Sequence, residues 1–98
     1  MKWIETIKVQ AAGGQERAID KKLTILTNDL RKSTDSPGLQ ETVIYNHAAI
    51  TGYFAIKLFW DTETPQNRGS ALGLTLAQTV KSYGLVDHSV WVERESDA

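Results

Sequence analysis

The spacing of the apolar residues alternates between two periods along this 98-residue chain, and that order constrains the fold more than any other feature. Over residues 3–11, WIETIKVQA, apolar and polar positions alternate, which predicts a β-strand. One face of this strand carries Trp3, Ile7, Val9 and Ala11. From Gln15 the period lengthens to three or four residues, which is typical of an amphipathic helix. The apolar stripe of that helix consists of Ile19, Leu23, Leu26 and Leu30.

The second half of the chain repeats the change of period. Residues 41–61 are rich in β-branched and aromatic side chains and are interrupted by Gly52, so we predict a hairpin, roughly Glu41–Ile50 and Tyr53–Asp61. Ser70 is placed to cap a second helix. The apolar side of that helix carries Leu72, Leu76, Val80 and Tyr83. We expect it to end at a glycine cap, Gly84, with Leu85 in the hydrophobic contact that often follows such a cap. HSVWVERE, beginning at His88, predicts a final strand.

The resulting order, strand, helix, strand, strand, helix, strand, predicts a ferredoxin-like α+β fold. We therefore expect a single domain, residues 1–98, with a four-stranded antiparallel sheet, two helices on one face and the other face open. The length of 98 residues fits one domain, and 41% hydrophobic with 23% charged residues is ordinary for a globular protein.

Composition also argues against several classes of function. The chain has no cysteine and two histidines, so we expect no disulfide, no metal site and no bound cofactor. The net charge of −1 supplies no general attraction for nucleic acid or for an anionic membrane. The first ten residues lack the apolar run of a signal peptide, and no segment approaches the length of a membrane span. We therefore expect a cytoplasmic protein.

The open face of the sheet decides what the fold could do. In the third strand every second residue from Phe54 to Trp60 is apolar, and we assign this row to the side that the helices cover. Because side chains alternate along a strand, the residues between them lie on the open face. These are Tyr53, Ala55, Lys57, Phe59 and Asp61. The same rule sends Asp87, Ser89, Trp91 and Glu93 of the last strand, and Ile4, Thr6 and Lys8 of the first, to the open face. The second strand has two acceptable apolar rows, so either His47 or Asn46 reaches that face.

A solvated sheet face seldom holds so many aromatic side chains, so we expect something to cover it. Burying even ~400 Å² of apolar area would contribute about 10 kcal/mol before the costs of association. The cover is either a second copy of the chain or the stacked bases of a single-stranded nucleic acid.

The nucleic-acid alternative rests on the third strand. RNA-recognition motifs have the same element order and carry a stacking motif there, where this chain has TGYFAIKL, Thr51 to Leu58. Gly52 and Tyr53 match that motif, but Ala55 and Leu58 replace two of its stacking aromatics. Because each stacked base contributes ~1–3 kcal/mol, the loss removes most of the platform. We expect no nucleic-acid partner.

A ferredoxin-like chain of this length with an apolar open face resembles the dimeric α/β-barrel superfamily. That superfamily includes antibiotic-biosynthesis-monooxygenase-like domains, stress-responsive barrel proteins and haem-degrading monooxygenases. The resemblance implies a homodimer whose sheets face each other around a small cavity, and some members oxidise polycyclic phenols there without a cofactor. It implies substrate-binding roles for four open-face residues, Tyr53, Lys57, Phe59 and Trp91.

The haem-degrading branch fits the sequence poorly. It requires an Asn on the first strand, a Trp on the third and a His on the second helix. Trp60 lies on the third strand, but residues 3–11 contain no Asn and residues 72–83 contain no His.

Few residues are candidates for catalysis. Asp87 and His88 are adjacent in a strand, so they point to opposite faces and cannot form a dyad. We interpret His88 as a structural residue under the helices. Asp87 either terminates the turn that follows Gly84 or acts as a proton acceptor at the mouth of a cavity. His47 is the second catalytic candidate. It lies on the second strand, an edge of a 4-1-3-2 sheet, and His88 lies on the opposite edge.

Two further features have plain structural interpretations. Lys57 is either a charge at the rim of the open face or a partner for Asp61. NRGS, Asn67 to Ser70, could hold an anion at the start of the second helix, but a solvated loop with a serine cap explains it better.

The sequence thus predicts a small dimeric protein that binds a partly aromatic organic molecule. Cofactor-independent monooxygenase-like chemistry would make it an enzyme. The alternative is a structural or regulatory dimer without chemistry.

Overall fold

Four strands and two helices make up the fold. The computed structural model describes residues 1–32 and 36–94. In chain order the elements are β1 (Lys2–Ala11), α1 (Glu16–Lys32), β2 (Leu39–Asn46), β3 (Tyr53–Asp61), α2 (Ala71–Val80) and β4 (Gly84–Val92). The strands form one antiparallel sheet in the order β2-β3-β1-β4. Helix α1 packs on β2, and α2 packs on β1 and β4. The predicted ferredoxin-like α+β architecture is confirmed.

The core lies between the helices and one face of the sheet. Its strand residues are alternate ones, as the period of two requires. The buried apolar set consists of Trp3, Ile7, Val9, Ile19, Leu23, Phe54, Ile56, Leu58, Trp60, Leu76 and Val80. Trp3 and Trp60 stack with their ring centroids 5.3 Å apart. Within the described residues, neither helix is both long and apolar enough to cross a membrane.

The prediction that β2 extends to Ile50 is wrong, because the strand ends at Asn46. The cause is the next residue, His47. Its Nδ1 accepts hydrogen bonds of 3.0 Å from the backbone N–H groups of both Ala49 and Ile50. A side chain that binds nearby backbone donors in this way competes with the strand ladder, so the chain turns away before it returns as β3.

The second helical segment ends before Gly84, as predicted, but without the predicted glycine cap and Leu85 contact. The α-helix stops at Val80, and a single 3-10 turn, Lys81–Tyr83, follows it. Gly84 is extended, with φ of 170°, and already belongs to β4, while Leu85 is 79% exposed and makes no capping contact. A Cβ at position 84 would overlap the backbone carbonyl of Gln10. The glycine therefore allows β4 to lie close to β1, and it does not adopt the left-handed conformation of a glycine cap.

Candidate functional site

The open face of the sheet consists of four rows of side chains that run across the strands. The registers β2–β3, β3–β1 and β1–β4 place one residue of each strand in the first three rows, and His47, just beyond the end of β2, joins the fourth through the bond from its backbone N–H to the Tyr53 carbonyl. From one end of the sheet to the other the rows are Glu41-Phe59-Ile4-Trp91, Val43-Lys57-Thr6-Ser89, Tyr45-Ala55-Lys8-Asp87 and His47-Tyr53-Gln10-Leu85. The undecided face of the second strand is thereby settled: Val43 and Tyr45 lie on the open face, and Asn46 lies on the helix side.

The first row forms an apolar end of the face. Phe59 and Trp91 lie on either side of Ile4 in register, and the Trp91 indole is 60% exposed. A cleft of about 780 Å³ opens beside them. Its walls are Lys2, Trp3, Ile4, Gln40, Glu41, Phe59, Trp60, Trp91, Val92 and Glu93. A concave site lined by aromatic groups, with a few charges at its edge, has the chemistry of a pocket for a small aromatic molecule.

The second row places a lysine at the middle of the face. The ammonium group of Lys57 lies 5.5 Å from the ring centroid of Tyr45, within the range of a cation–π contact. Asp61 does not pair with it, because the Asp61 carboxylate binds the amino group of Met1 at 3.2 Å. Lys57 is therefore a half-buried cation among apolar and hydroxyl neighbours, where an anionic or electron-rich ligand would be favoured.

His47 lies at the far end of the face and stacks on Tyr53, with ring centroids 5.3 Å apart. Because Nδ1 accepts two backbone hydrogen bonds, the proton of the neutral imidazole is on Nε2. In this arrangement the Nε2–H group of His47 is the one that could donate to a ligand. A pocket of about 220 Å³, lined by Lys8, Tyr45, Asn46, His47, Tyr53, Phe54 and Ala55, lies next to it.

Asp87 lies on the open face, opposite Lys8. His47 is on the other edge of the sheet, three strand spacings away and one row further along, which is roughly 16 Å. One protomer therefore does not bring the two predicted catalytic residues together. Within residues 1–32 and 36–94, no group of three His, Asp or Glu side chains is arranged to hold a metal ion.

The structure also places His88 where the sequence predicted it, under the helices. What the sequence interpretation missed is its partner: Glu5, fully buried, accepts a hydrogen bond of 2.7 Å from His88 Nε2. The feature of the sequence that could have indicated this pair is Glu5 itself, an acidic residue within the otherwise apolar row of β1. Glu5 also accepts from the Ser70 backbone N–H, so a protein carboxylate already occupies the start of α2. The serine cap that the sequence predicted at Ser70 is present.

Comparison with known proteins identifies the fold. No protein-family model matches the sequence, and no curated protein matches it. Solved structures do match over essentially the whole chain. Rv0793 from Mycobacterium tuberculosis is 14% identical with a TM-score of 0.69, and the match covers 100% of both chains. A candidate antibiotic biosynthesis monooxygenase from Deinococcus radiodurans is 15% identical with a TM-score of 0.66, covering 98% of this chain and 96% of that one.

A variant of SnoaB, a cofactor-independent oxygenase from Streptomyces nogalater, gives a TM-score of 0.65 at 11% identity, covering 98% of this chain and 96% of that one. At these identities the similarity concerns architecture alone, and fold does not fix function. The chain therefore has the fold of the antibiotic-biosynthesis-monooxygenase-like proteins, as the order of its elements predicted.

Proposed function

We propose that the protein is a homodimer whose open sheet faces meet around a pocket for a small, partly aromatic organic molecule. The observation that carries the proposal is the row of Phe59, Ile4 and Trp91 on the uncovered face, beside a cleft of about 780 Å³ at the end of the sheet. A second copy would turn this open cleft into an enclosed one. It would also remove exposed apolar area from water, at ~25 cal/mol per Å².

The arrangement provides distinct roles for the predicted site residues. Phe59 and Trp91 offer flat apolar surfaces to a ring, and Tyr53 extends the aromatic surface beside His47. Lys57 offers a positive charge to a phenolate or enolate oxygen. These roles describe binding, and they need no group beyond those on the open face.

A cofactor-independent oxygenation is the finer form of this proposal. Oxidation of a doubly benzylic CH2 group by O2 to C=O and H2O balances without an added reductant. Asp87 would accept the first proton, and the Nε2–H of His47 would stabilise a developing oxyanion. Because the two lie roughly 16 Å apart in one protomer and neither lines the cleft beside Phe59 and Trp91, a single pocket would need groups from both subunits.

Binding is tested by calorimetric titration with 1-naphthol and, as a non-aromatic control, cyclohexanol. We expect 1-naphthol to bind more tightly and Phe59→Ala to weaken it by about tenfold, since the lost ring contact is worth ~1–2 kcal/mol. Leu74→Ala is the matched control, because Leu74 is 52% exposed but lies on α2, away from the sheet. If Phe59→Ala binds as tightly as Leu74→Ala, the pocket is not at this end of the face.

Oxygen uptake with an anthrone tests the chemistry separately. We expect uptake above the uncatalysed rate and a loss of most of it in Asp87→Asn. Binding without uptake would favour the non-catalytic alternative, a structural or regulatory dimer. The open face would then bind an aromatic ligand without transforming it.

A further inference from the structure

The helix-facing rows of the four strands carry two titratable side chains, Glu5 on β1 and His88 on β4. Glu5 is fully buried, and the His88 side chain is 14% exposed. One carboxylate oxygen of Glu5 accepts from the Ser70 backbone N–H at 3.0 Å, and the other lies 2.7 Å from His88 Nε2. A buried carboxylate is costly unless its oxygens are bonded in this way, so the contacts explain how the core tolerates Glu5.

The bond to Ser70 has a specific place in the helix. Ser70 is the N-cap of α2, and its hydroxyl oxygen accepts from the Gly73 N–H at 2.9 Å. In a capping box an acidic side chain at the position of Gly73 would bind back to the N-cap N–H. Here the segment SALG has no such acid, and the first turn of α2 contains none. The N-cap N–H binds Glu5 instead, 65 residues away in the chain.

Glycines make the room that this arrangement needs. A Cβ at Gly73 would overlap the Glu5 carboxylate, and its three nearest neighbours would all be atoms of that side chain. A Cβ at Gly69 would overlap the His88 ring, and its φ of +100° also favours glycine. The space that a local acid would fill at position 73 is thus occupied by an acid from β1.

We propose that Glu5 completes the capping box of α2 from a neighbouring strand. Its carboxylate thereby anchors the start of this helix to the sheet. The carboxylate lies at the positive end of the helix dipole, where a negative charge is favoured. His88 holds the second oxygen and fixes the carboxylate in place. Because α2 has no charged residue of its own, its N-terminus depends on this one interior group.

A double-mutant cycle that compares the midpoints of urea unfolding tests whether Glu5 caps α2. In the wild type we expect Gly73→Glu to lower the midpoint, because the new side chain overlaps Glu5. In a Glu5→Ala background the same change should raise the midpoint, because the segment then reads SALE and closes a local capping box. Gly73→Ala in that background is the control for helix propensity, and Gly73→Glu should exceed it. If Gly73→Glu lowers the midpoint equally in both backgrounds, or does no better than Gly73→Ala, the proposal is refuted.

Native-state amide exchange keeps the test decisive if Glu5→Ala does not fold. Glu5→Gln preserves the shape but removes the charge, and charge-assisted hydrogen bonds are about twice as strong as neutral ones. We expect amides of residues 70–80 to exchange roughly tenfold faster, while those of α1 are unchanged. Glu41→Gln, at an exposed strand position, is the matched control. Equal acceleration in both helices would show that Glu5 acts only on global stability.

Discussion

In the proposed homodimer, truncation of Trp91 should separate the two protomers without unfolding them. Trp91 lies at the outer edge of the open face, and 60% of its surface is exposed in the single chain. A tryptophan side chain can bury about 150–250 Å², so on the order of 100–150 Å² remains for a partner to cover. At ~25 cal/mol per Å² this corresponds to about 3 kcal/mol for each protomer of a dimer. The protomer itself should lose little, because Trp91 is mostly exposed and its hydrogen bond to Ser89 is an exposed one within the same strand.

Sedimentation equilibrium of Trp91→Ala measures the effect on the dimer. Burial of Trp91 from both protomers would contribute about twice this free energy. If half of that total is lost in the variant, about 3 kcal/mol, the dissociation constant of the dimer should rise more than about 100-fold. Leu74→Ala removes a comparably exposed side chain from α2 and should leave the constant unchanged. Dimerisation of Trp91→Ala as tight as that of Leu74→Ala would refute the assignment of this face as the interface.

Three further substitutions test the account of the fold. Leu58→Ala removes a fully buried side chain from the centre of β3 and should cost about 2–5 kcal/mol in urea unfolding; a smaller loss would place the core elsewhere. Gly84→Ala should cost about 1–3 kcal/mol, because its Cβ overlaps the Gln10 carbonyl, whereas Gly13→Ala, which meets nothing within 4 Å, should not destabilise the protein. His47→Phe keeps the stack on Tyr53 but loses both backbone acceptor bonds, so exchange of the loop amides at 49 and 50 should accelerate by about fivefold while that of β2 does not.

The order of elements could be predicted from the sequence because the apolar period is unambiguous where one face is buried. The apolar row from Phe54 to Trp60 fixed the faces of β3, and the alternation in β1 agreed with it. In β2 both rows are apolar, so no periodicity argument could choose between His47 and Asn46. That choice depends on the register with β3, which is a tertiary property.

The errors came from side-chain and backbone contacts that periodicity does not report. The end of β2 depends on one imidazole nitrogen that binds two local amides. Gly84 looked like a helix cap, but its conformation is set by the approach of β4 to Gln10. The sequence interpretation assigned Glu5 to neither face, although its position in the Trp3–Val9 row already placed it under the helices.

The candidate site was predicted in part. Tyr53, Lys57, Phe59 and Trp91 do share the open face, since alternation alone determines that. Their spacing across strands, and the separation of His47 from Asp87, required the strand order and registers. Whether a ligand binds among them stays a prediction.

Native mass spectrometry of the purified protein tests the central claim most directly. At micromolar concentration we expect a species of twice the 10.9 kDa chain mass, with any retained small molecule visible as an added mass on the dimer. A strict monomer under those conditions would contradict the proposal that a second copy covers the open face.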